Sequence, residues 1–369
     1  MSSPSARGPF RPGTGATPPY LAGREQDQAL FRTLLADLSN GIPPGTPVIL
    51  HGPRGNGKTV LLAWLEAEAT SRPGVEAARR TPSDIPDRER LAEELLSESW
   101  WERYTPTEVA VAGVRWRPGQ GRAPSARAVL AARAGKAPFV LLVDEAHTLG
   151  VEAGRALLNA AQEVGSKAPF LLVMAGTPNL EENLNEMGAS FWNRAEQIRV
   201  GRLDDEATAD ALGRPFAGEG MSVDPGALAM MVRESQGYPF FVQLLGRAVW
   251  RCATGGRAVT RTVVEAARSA FEAERDAYYR HRLDELKKSR LLQVAGSVAS
   301  AFGESEVLAD AELDAAVVEG LGDRPTEAVD QATGTLRDLG YIWRARTRPE
   351  WEPGIPSLMD YVRMYAPAR

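Results

Sequence analysis

One short segment restricts the fold more than anything else in the chain. Val48-Ile49-Leu50 is an apolar run between turn residues, and it leads into Gly52-Pro53-Arg54-Gly55-Asn56-Gly57-Lys58-Thr59. The run reads as a buried strand, and residues 59–69 behind the loop read as a helix. The loop fits G-x-x-x-x-G-K-[ST] at every position, and its strand–loop–helix setting is the one the motif requires. Gly52, Gly55 and Gly57 allow the backbone to curl into a nest of N–H donors around a polyphosphate. Lys58 is placed to reach the β- and γ-phosphates as a point charge, the Thr59 hydroxyl suits Mg²⁺, and the helix that starts there adds the positive end of its dipole. Val60 continues the binding segment into that helix.

The rest of the chain supplies a sheet for this unit. Phe139–Val143 and residues 170–175 are two further buried-strand candidates, with a helix over residues 152–164 between them. Strands alternating with helices predict an α/β fold with a parallel sheet covered on both faces. Residues 24–38 form a helix by spacing, ended by Asn40-Gly41 and Pro43-Pro44-Gly45. Between residues 75 and 137 the pattern predicts a strand starting at Val75, a helix over 87–96, a strand over 109–116, a loop over 119–124 and a helix over 126–134. After Leu203 the periodicity turns helical over 204–212, 225–235, 240–253 and 260–286, the size of a helical lid. From about Leu291 a smaller unit follows, with helices, a strand over 340–346 and a Pro/Gly-rich stretch. Pro4, Pro9, Pro12, Pro18 and Pro19 among Ser, Gly and Thr predict a disordered tail over residues 1–19. The expected division is a tail over 1–19, a nucleotide-binding α/β domain over 20–203, a lid over 204–286 and a small domain over 287–369.

Composition removes several function classes. The chain has 369 residues with 43 Lys+Arg against 48 Asp+Glu, a formal charge of −5, which disfavours a protein that coats duplex DNA with its whole surface and leaves a local basic patch open. A single cysteine, Cys252, allows no intrachain disulfide and no cysteine-based zinc cluster, and His51, His147 and His281 are too scattered for a histidine-rich metal site. No apolar run approaches the roughly 20 residues that span a bilayer. The start of the chain lacks the apolar core of a signal peptide, so a cytoplasmic protein with no membrane partner is expected.

Asp144-Glu145 closes the run Phe139–Val143, so both carboxylates fall at the C-terminal end of a strand, the edge at which open α/β sheets bind ligands. In that place Asp144 suits Mg²⁺ held through water, and Glu145 suits orienting and deprotonating an attacking water. Ala175-Gly176-Thr177-Pro178-Asn179 follows the next strand, and either Thr177 or Asn179 could touch a γ-phosphate or the water, or be part of an ordinary turn. Among Arg194, Arg199 and Arg202, one could reach a neighbouring subunit's nucleotide as an arginine finger, the others being surface residues.

These pieces in this order resemble the AAA+ ATPases, and more narrowly the bacterial ATP-binding proteins related to origin-recognition ATPases and to the STAND signalling ATPases. Gly52–Thr59 looks like Walker A and Phe139 to Glu145 like Walker B. Tyr20-Leu21-Ala22-Gly23-Arg24-Glu25 looks like the segment that the family places against adenine. Thr177 sits where sensor 1 falls, with Asn179 a second candidate, and Phe191-Trp192-Asn193-Arg194 resembles the stretch that holds the arginine finger. Where many members carry a sensor 2 arginine, this chain has Gly237-Tyr238-Pro239-Phe240, similar to the Gly-x-Pro motif of STAND proteins, whose proline packs beside the base. The likeness runs from about Tyr20 to Ala253. It implies ATP and Mg²⁺ as ligands and a slow ATPase.

The last segment resembles a winged helix, with residues 325–339 as its recognition-like helix and Gly340-Tyr341-Ile342 leading into the wing. That helix carries Glu327, Asp330 and Asp338 against Arg337 alone, which opposes phosphate. Arg344, Arg346 and Arg348 share one face of a strand, either to touch a phosphate backbone or an acidic partner or to guard a strand edge by charge. Asp144-Glu145-Ala146-His147 is lettered like a helicase box without other helicase motifs, and Trp100-Trp101 and Lys287, Lys288 and Arg290 read as packing and as a solvated face. The expected function is a Mg²⁺-dependent ATPase switch acting through self-assembly or a protein partner. A DNA-associated ATPase of the replication or transposition loader type is the alternative, and a non-hydrolysing nucleotide-binding scaffold is a third.

Overall fold

Val48–His51 (β1) is buried at all four positions, which requires elements on both faces of the strand. The computed structural model describes residues 8–13, 15, 17–95, 109–111, 114–116, 125–188, 194–253, 256–303, 305, 307–322, 327–344 and 350–366. Trp100, Trp101, the loop at 119–124, Phe191 to Asn193, Pro325, Arg346 and Arg348 lie outside the described residues. The chain divides into two compact units, one of residues 26–51 and 61–199, the other of residues 1–25, 52–60 and 200–369.

The first unit is a sheet with helices. In chain order it holds α1 (Glu25–Ser39), β1, most of α2 (Lys58–Thr70), β2 (Glu76–Arg80), α3 (Arg88–Leu95), β3 (Val109–Val111), β4 (Val114–Trp116) and α4 (Ala126–Ala134). β5 (Phe139–Val143), α5 (Val151–Gly165), β6 (Phe170–Gly176), α6 (Leu180–Glu186) and β7 (Glu196–Arg199) complete it. The central sheet has five strands in the order β2-β5-β6-β1-β7, every pair parallel. β5 and β6 are buried throughout, as their unbroken apolar runs require. The predicted parallel α/β architecture is therefore the observed one. The sequence-predicted strand over 109–116 is instead two short strands paired antiparallel, with Val109 opposite Trp116. Antiparallel pairing satisfies the backbone groups of both short segments locally.

Register decides which residues share an edge. His51 of β1 lies opposite Gly176 of β6, Val143 of β5 opposite Met174, and Arg80 of β2 opposite Val143. The residues that follow these strands, Asp144 and Thr177, therefore leave the sheet at its C-terminal edge, where the chain also leaves β1 for Gly52.

The second unit is helical. It contains α7 (Asp205–Gly218), α8 (Pro225–Ser235), α9 (Pro239–Cys252), α10 (Arg261–Lys288), α11 (Leu292–Phe302), α12 (Asp310–Leu321), α13 (Glu327–Asp338) and α14 (Pro356–Tyr365). Asp204 caps α7 by accepting the Ala207 N–H at 2.7 Å, and Asp224 caps α8 in the same way with Pro225 in its first turn. β8 (Ser222–Val223) pairs parallel with β9 (Ala258–Val259), and β10 (Ile342–Arg344) pairs antiparallel with β11 (Trp351–Pro353). The expected strand over 340–346 is shorter, and the Pro/Gly-rich stretch after it holds both β11 and α14. Pro356 at the first turn is compatible with a helix, and burial of Leu358, Met359 and Val362 holds it. α7 runs past its expected end through Pro215, where burial of Phe216 outweighs the loss of one helical hydrogen bond.

Two expectations about domain limits change. The segments read as a lid and a separate small domain share one continuous apolar core that extends from Phe10 to Ala366. α10 is the physical reason: its 28 residues bury Val264, Ala267 and Phe271 in one half and Tyr279, Leu283 and Leu286 in the other. The N-terminal segment is not a free tail throughout, because Phe10 is 2% exposed, 4.9 Å from Phe216 and seated against Gly246. Phe10→Ala is expected to lower the thermal midpoint of the helical unit, by about 3 kcal/mol in stability, measured by circular dichroism.

Candidate functional site

The phosphate-loop residues belong to the helical unit. Gly55 and Gly57 both have left-handed φ, +82° and +92°, which a side chain tolerates poorly. Among the described residues a Cβ on Gly57 would meet nothing within 4 Å, so the loop is open there, whereas one on Gly55 would stand 1.8 Å from Tyr238 Oη. Lys58 is buried and its Nζ donates to the carbonyls of Gly52 at 2.7 Å and Pro53 at 2.9 Å, so the loop is closed on itself by its own lysine. Asn56 is 1% exposed, and among the described residues its carboxamide N and O have no partner, an arrangement that is costly unless a ligand completes it. Thr59 and Val60 are half-buried at the start of α2. Together these features fit a polyphosphate: open space, a positive helix start, N–H donors and an ammonium group.

The segment expected against adenine is joined to this loop. Arg24 donates to Asn56 O at 3.3 Å and to Gly201 O at 2.5 Å. Leu21 is half-buried beside it, and Gly23 is placed where a Cβ would come within 2.8 Å of Ala207 Cβ. Pro239 opens α9 and is half-buried. The residue before it was not foreseen. Tyr238 is fully buried, and its Oη donates to Arg54 O at 2.8 Å with Tyr278 Oη 3.2 Å away. Arg54 reaches Glu285 of α10 at 3.8 Å, and Glu285 pairs with Arg282, which donates to Leu339 O. The only sequence signal for this chain of contacts is the tyrosine inside the Gly-x-Pro motif. Arg202, a finger candidate, donates from the surface to Gln236 O at 3.4 Å.

The acidic pair and the sensor candidates belong to the sheet unit. Asp144 is 5% exposed, its N–H is bound by Arg80 O at 2.9 Å, and its Oδ1 accepts the Glu145 N–H at 3.0 Å. Glu145 carries its carboxylate half exposed on a left-handed backbone, φ +51°, a conformation of about 1 kcal/mol strain that the following 3₁₀ turn over Ala146–Thr148 holds. Thr177 is fully buried and its hydroxyl donates to Asn179 Oδ1, so the two sensor candidates act as one turn. His147, set aside in the sequence as a chance likeness to a helicase box, lies between them. Its Nδ1 accepts the Thr177 N–H at 3.4 Å and its Nε2 is 3.5 Å from Glu145 Oε2.

Arg194 is elsewhere in this unit. Glu196 of β7 lies opposite Val48 of β1, so Arg194 stands at the N-terminal edge of the sheet, away from Asp144, Glu145 and Thr177. It lines a cavity of about 100 Å³ with Thr46, Pro47, Gln162 and Phe170. Arg199 ends β7 half-buried.

A parallel sheet ordered 2-5-6-1-7, left through a glycine-rich loop by its first strand and bearing an acidic pair at the same edge, defines a P-loop nucleoside triphosphatase. Residues 20–174 match the family model described as AAA ATPase domain, so this part of the chain is an AAA ATPase domain, which supports ATP hydrolysis. Solved structures agree in fold. A Walker-type ATPase of Pyrococcus abyssi aligns at 16% identity over 93% of this chain and 96% of that chain, with a TM-score of 0.63. The ORC2 protein of Aeropyrum pernix, in ADPNP–ADP complexes, aligns at 14% identity over 96% and 97%, with a TM-score of 0.58. The RuvB Holliday junction branch migration motor of Thermotoga maritima aligns at 16% identity over 93% and 95%, with a TM-score of 0.50. No curated protein sequence matches the chain. Among the described residues, no helix is long and apolar enough to cross a membrane.

Burial pushes the Tyr238, Tyr279 and Tyr341 phenols above their ordinary value. A raised folded-state pKa adds stability that is present below the unfolded value of roughly 10 and is lost as pH rises beyond it. An alkaline titration followed by circular dichroism should therefore show the helical unit weakening above about pH 10, and Tyr238→Phe should flatten that loss. At neutral pH the same variant is expected to cost about 1–2 kcal/mol by leaving Arg54 O without its partner.

Proposed function

We propose that the protein is a Mg²⁺-dependent ATPase switch in which the nucleotide state of the phosphate loop is passed to the helical unit and through it to self-assembly or a protein partner. The observation that carries this reading is the anchoring of Arg54: its carbonyl is held by Tyr238 at the head of α9, and its guanidinium by Glu285 on α10. A loop tied in this way cannot rearrange around a triphosphate without a response from those helices. In this reading Gly52 through Val60 hold the phosphates, with Lys58 exchanging its loop carbonyls for phosphate oxygens. Leu21, Gly23, Arg24 and Pro239 bound the base.

Thr59 and Asp144 offer a hydroxyl and a carboxylate, hard oxygen donors that suit Mg²⁺ when phosphate and water supply the rest. Among the described residues no group of three His, Cys, Asp or Glu side chains forms a metal site on its own, which fits an ion that arrives with the nucleotide. The ion, when bound, neutralises charge developing on the phosphates. Glu145 orients and deprotonates the attacking water, Thr177 with Asn179 senses the γ-phosphate, and Arg194 serves the nucleotide of a neighbouring copy.

The alternative, a DNA-associated ATPase of the loader type, draws on the C-terminal helices with the β10–β11 hairpin, which have the makings of a winged helix, and on the fold shared with the ORC2 and branch-migration structures. Against it, Arg344 in that hairpin is paired with Asp310 and stacked 4.5 Å over the Trp351 ring, so its charge is answered within the fold. The switch reading is therefore preferred.

Light scattering coupled to size exclusion, with phosphate release, tests both. Glu145→Gln should keep ATP binding, lose roughly 100-fold or more of turnover, and shift the protein to the assembled form. Lys58→Ala should lose ATP binding, and chelation of Mg²⁺ should stop phosphate release. Equal size with ATP, ADP and no nucleotide would reject the switch, and duplex DNA raising turnover with a steep salt slope would favour the loader.

A further inference from the structure

We propose that His147 is a positioning residue for ATP hydrolysis: its imidazole ties the backbone of the Thr177 turn to the carboxylate of Glu145, so that the orientation of the water-activating group follows the turn at the end of β6. The inference rests on the reading of Glu145 as that group. It goes beyond it by naming what aims the carboxylate.

The two ring nitrogens are assigned by their neighbours. Thr177 N–H points at Nδ1 over 3.4 Å, and an N–H requires a lone pair, so Nδ1 is the acceptor. The proton of the neutral ring then sits on Nε2, which faces Glu145 Oε2 at 3.5 Å. One ring thus accepts from the sensor turn and turns its other nitrogen toward the carboxylate, within ion-pair distance. A histidine present only to fill the core has no need of both contacts.

The imidazole is a fixed part and the carboxylate a movable one. The His147 side chain is 6% exposed, the Glu145 side chain 49%. Asn183 of α6 donates its amide to the His147 carbonyl, which pins the backbone from the far side. Gly176 leaves room for the ring's approach, since a Cβ there would stand 3.3 Å from His147 Cβ and 3.0 Å from Leu180. On the other flank, the Glu145 carbonyl accepts from both the N–H and the hydroxyl of Thr148, at 2.9 and 3.0 Å, and this closes the left-handed turn beneath the carboxylate. Thr177 shares its hydroxyl with Asn179, so a γ-phosphate that engages either residue alters the backbone on which the imidazole is hung. An exposed carboxylate without such a tether samples many rotamers, and misplacement by about 1 Å can cost as much as 100-fold in rate.

The test uses the full chain and two independent readouts. Nitrogen-15 labelling of the three histidines, with His147 assigned through His147→Gln, should give the Nδ1-acceptor, Nε2–H pattern at His147, and Glu145→Gln should shift it. The opposite tautomer, or no shift on Glu145→Gln, overturns the link. In steady-state hydrolysis His147→Ala should lower kcat by roughly 10-fold or more while KM and ATP affinity stay within about twofold. His147→Gln, whose amide has one acceptor and one donor, should recover most of that loss. Added to Glu145→Gln, His147→Ala should cause no further loss. Equal rates for the Ala and Gln variants, a change in KM alone, or additive losses in the double variant overturn the proposal. If His147→Ala fails to fold, the Gln variant and the spectra decide. Wild-type turnover by Glu145→Gln alone would instead reject Glu145 as the water-activating group, an outcome separate from the tautomer result.

Discussion

The hydrogen bond from Tyr238 Oη to the carbonyl of Arg54 is the contact on which the nucleotide end of this molecule depends. It exists because Gly55 has no Cβ, since any side chain there would occupy the place of the phenol oxygen. It survives because Tyr238 is wholly buried among Phe240, Phe241 and Tyr278, where an unpaired hydroxyl or carbonyl is costly. The phosphate loop is therefore as much a part of the helical unit's packing as a binding element. From Arg54 the contacts continue through Glu285 and Arg282 to Leu339, just ahead of the β10–β11 hairpin. That continuity is why we read the protein as a device in which nucleotide state and helix arrangement change together.

The sheet unit contributes chemistry through register. Parallel pairing places the ends of β1, β5 and β6 at one edge, and the residues that follow them, Gly52, Asp144 and Thr177, are the ones proposed to hold phosphate, hold the metal and sense the nucleotide. The same rule places Arg194, ahead of β7, at the other edge. A single sheet thus separates the groups proposed to act on the chain's own nucleotide from the one proposed to act on a neighbour's. His147 adds a short internal link at the first edge, between the turn after β6 and the turn after β5.

Much of this was legible in the residues, for identifiable reasons. Val48–Leu50, Phe139–Val143 and residues 170–175 are unbroken apolar runs, which only a sheet covered on both faces accommodates. α4 and α8 were readable to the residue because Ser125 and Asp224 cap them and their apolar spacing is regular. α14 was hidden because Pro356, which suits a first helical turn, also marks loops. Phe10 was hidden because composition averages over a segment and cannot see one ring finding Phe216. His147 was set aside because a letter string says nothing about what faces a ring nitrogen.

By itself the sequence determined the chemistry that local order can encode: a glycine-rich loop after a strand, an acidic pair ending another, and the parallel α/β class that joins them. These depend on residues a few positions apart, where backbone geometry leaves little choice. The tertiary structure alone decided that Tyr238 backs the phosphate loop, that His147 bridges Glu145 and Thr177, and that the last helices share a core with the lid. The His147–Thr177 and Tyr238–Arg54 contacts join residues 30 and 184 positions apart, and their energies come from excluding water around specific partners, which no local pattern specifies.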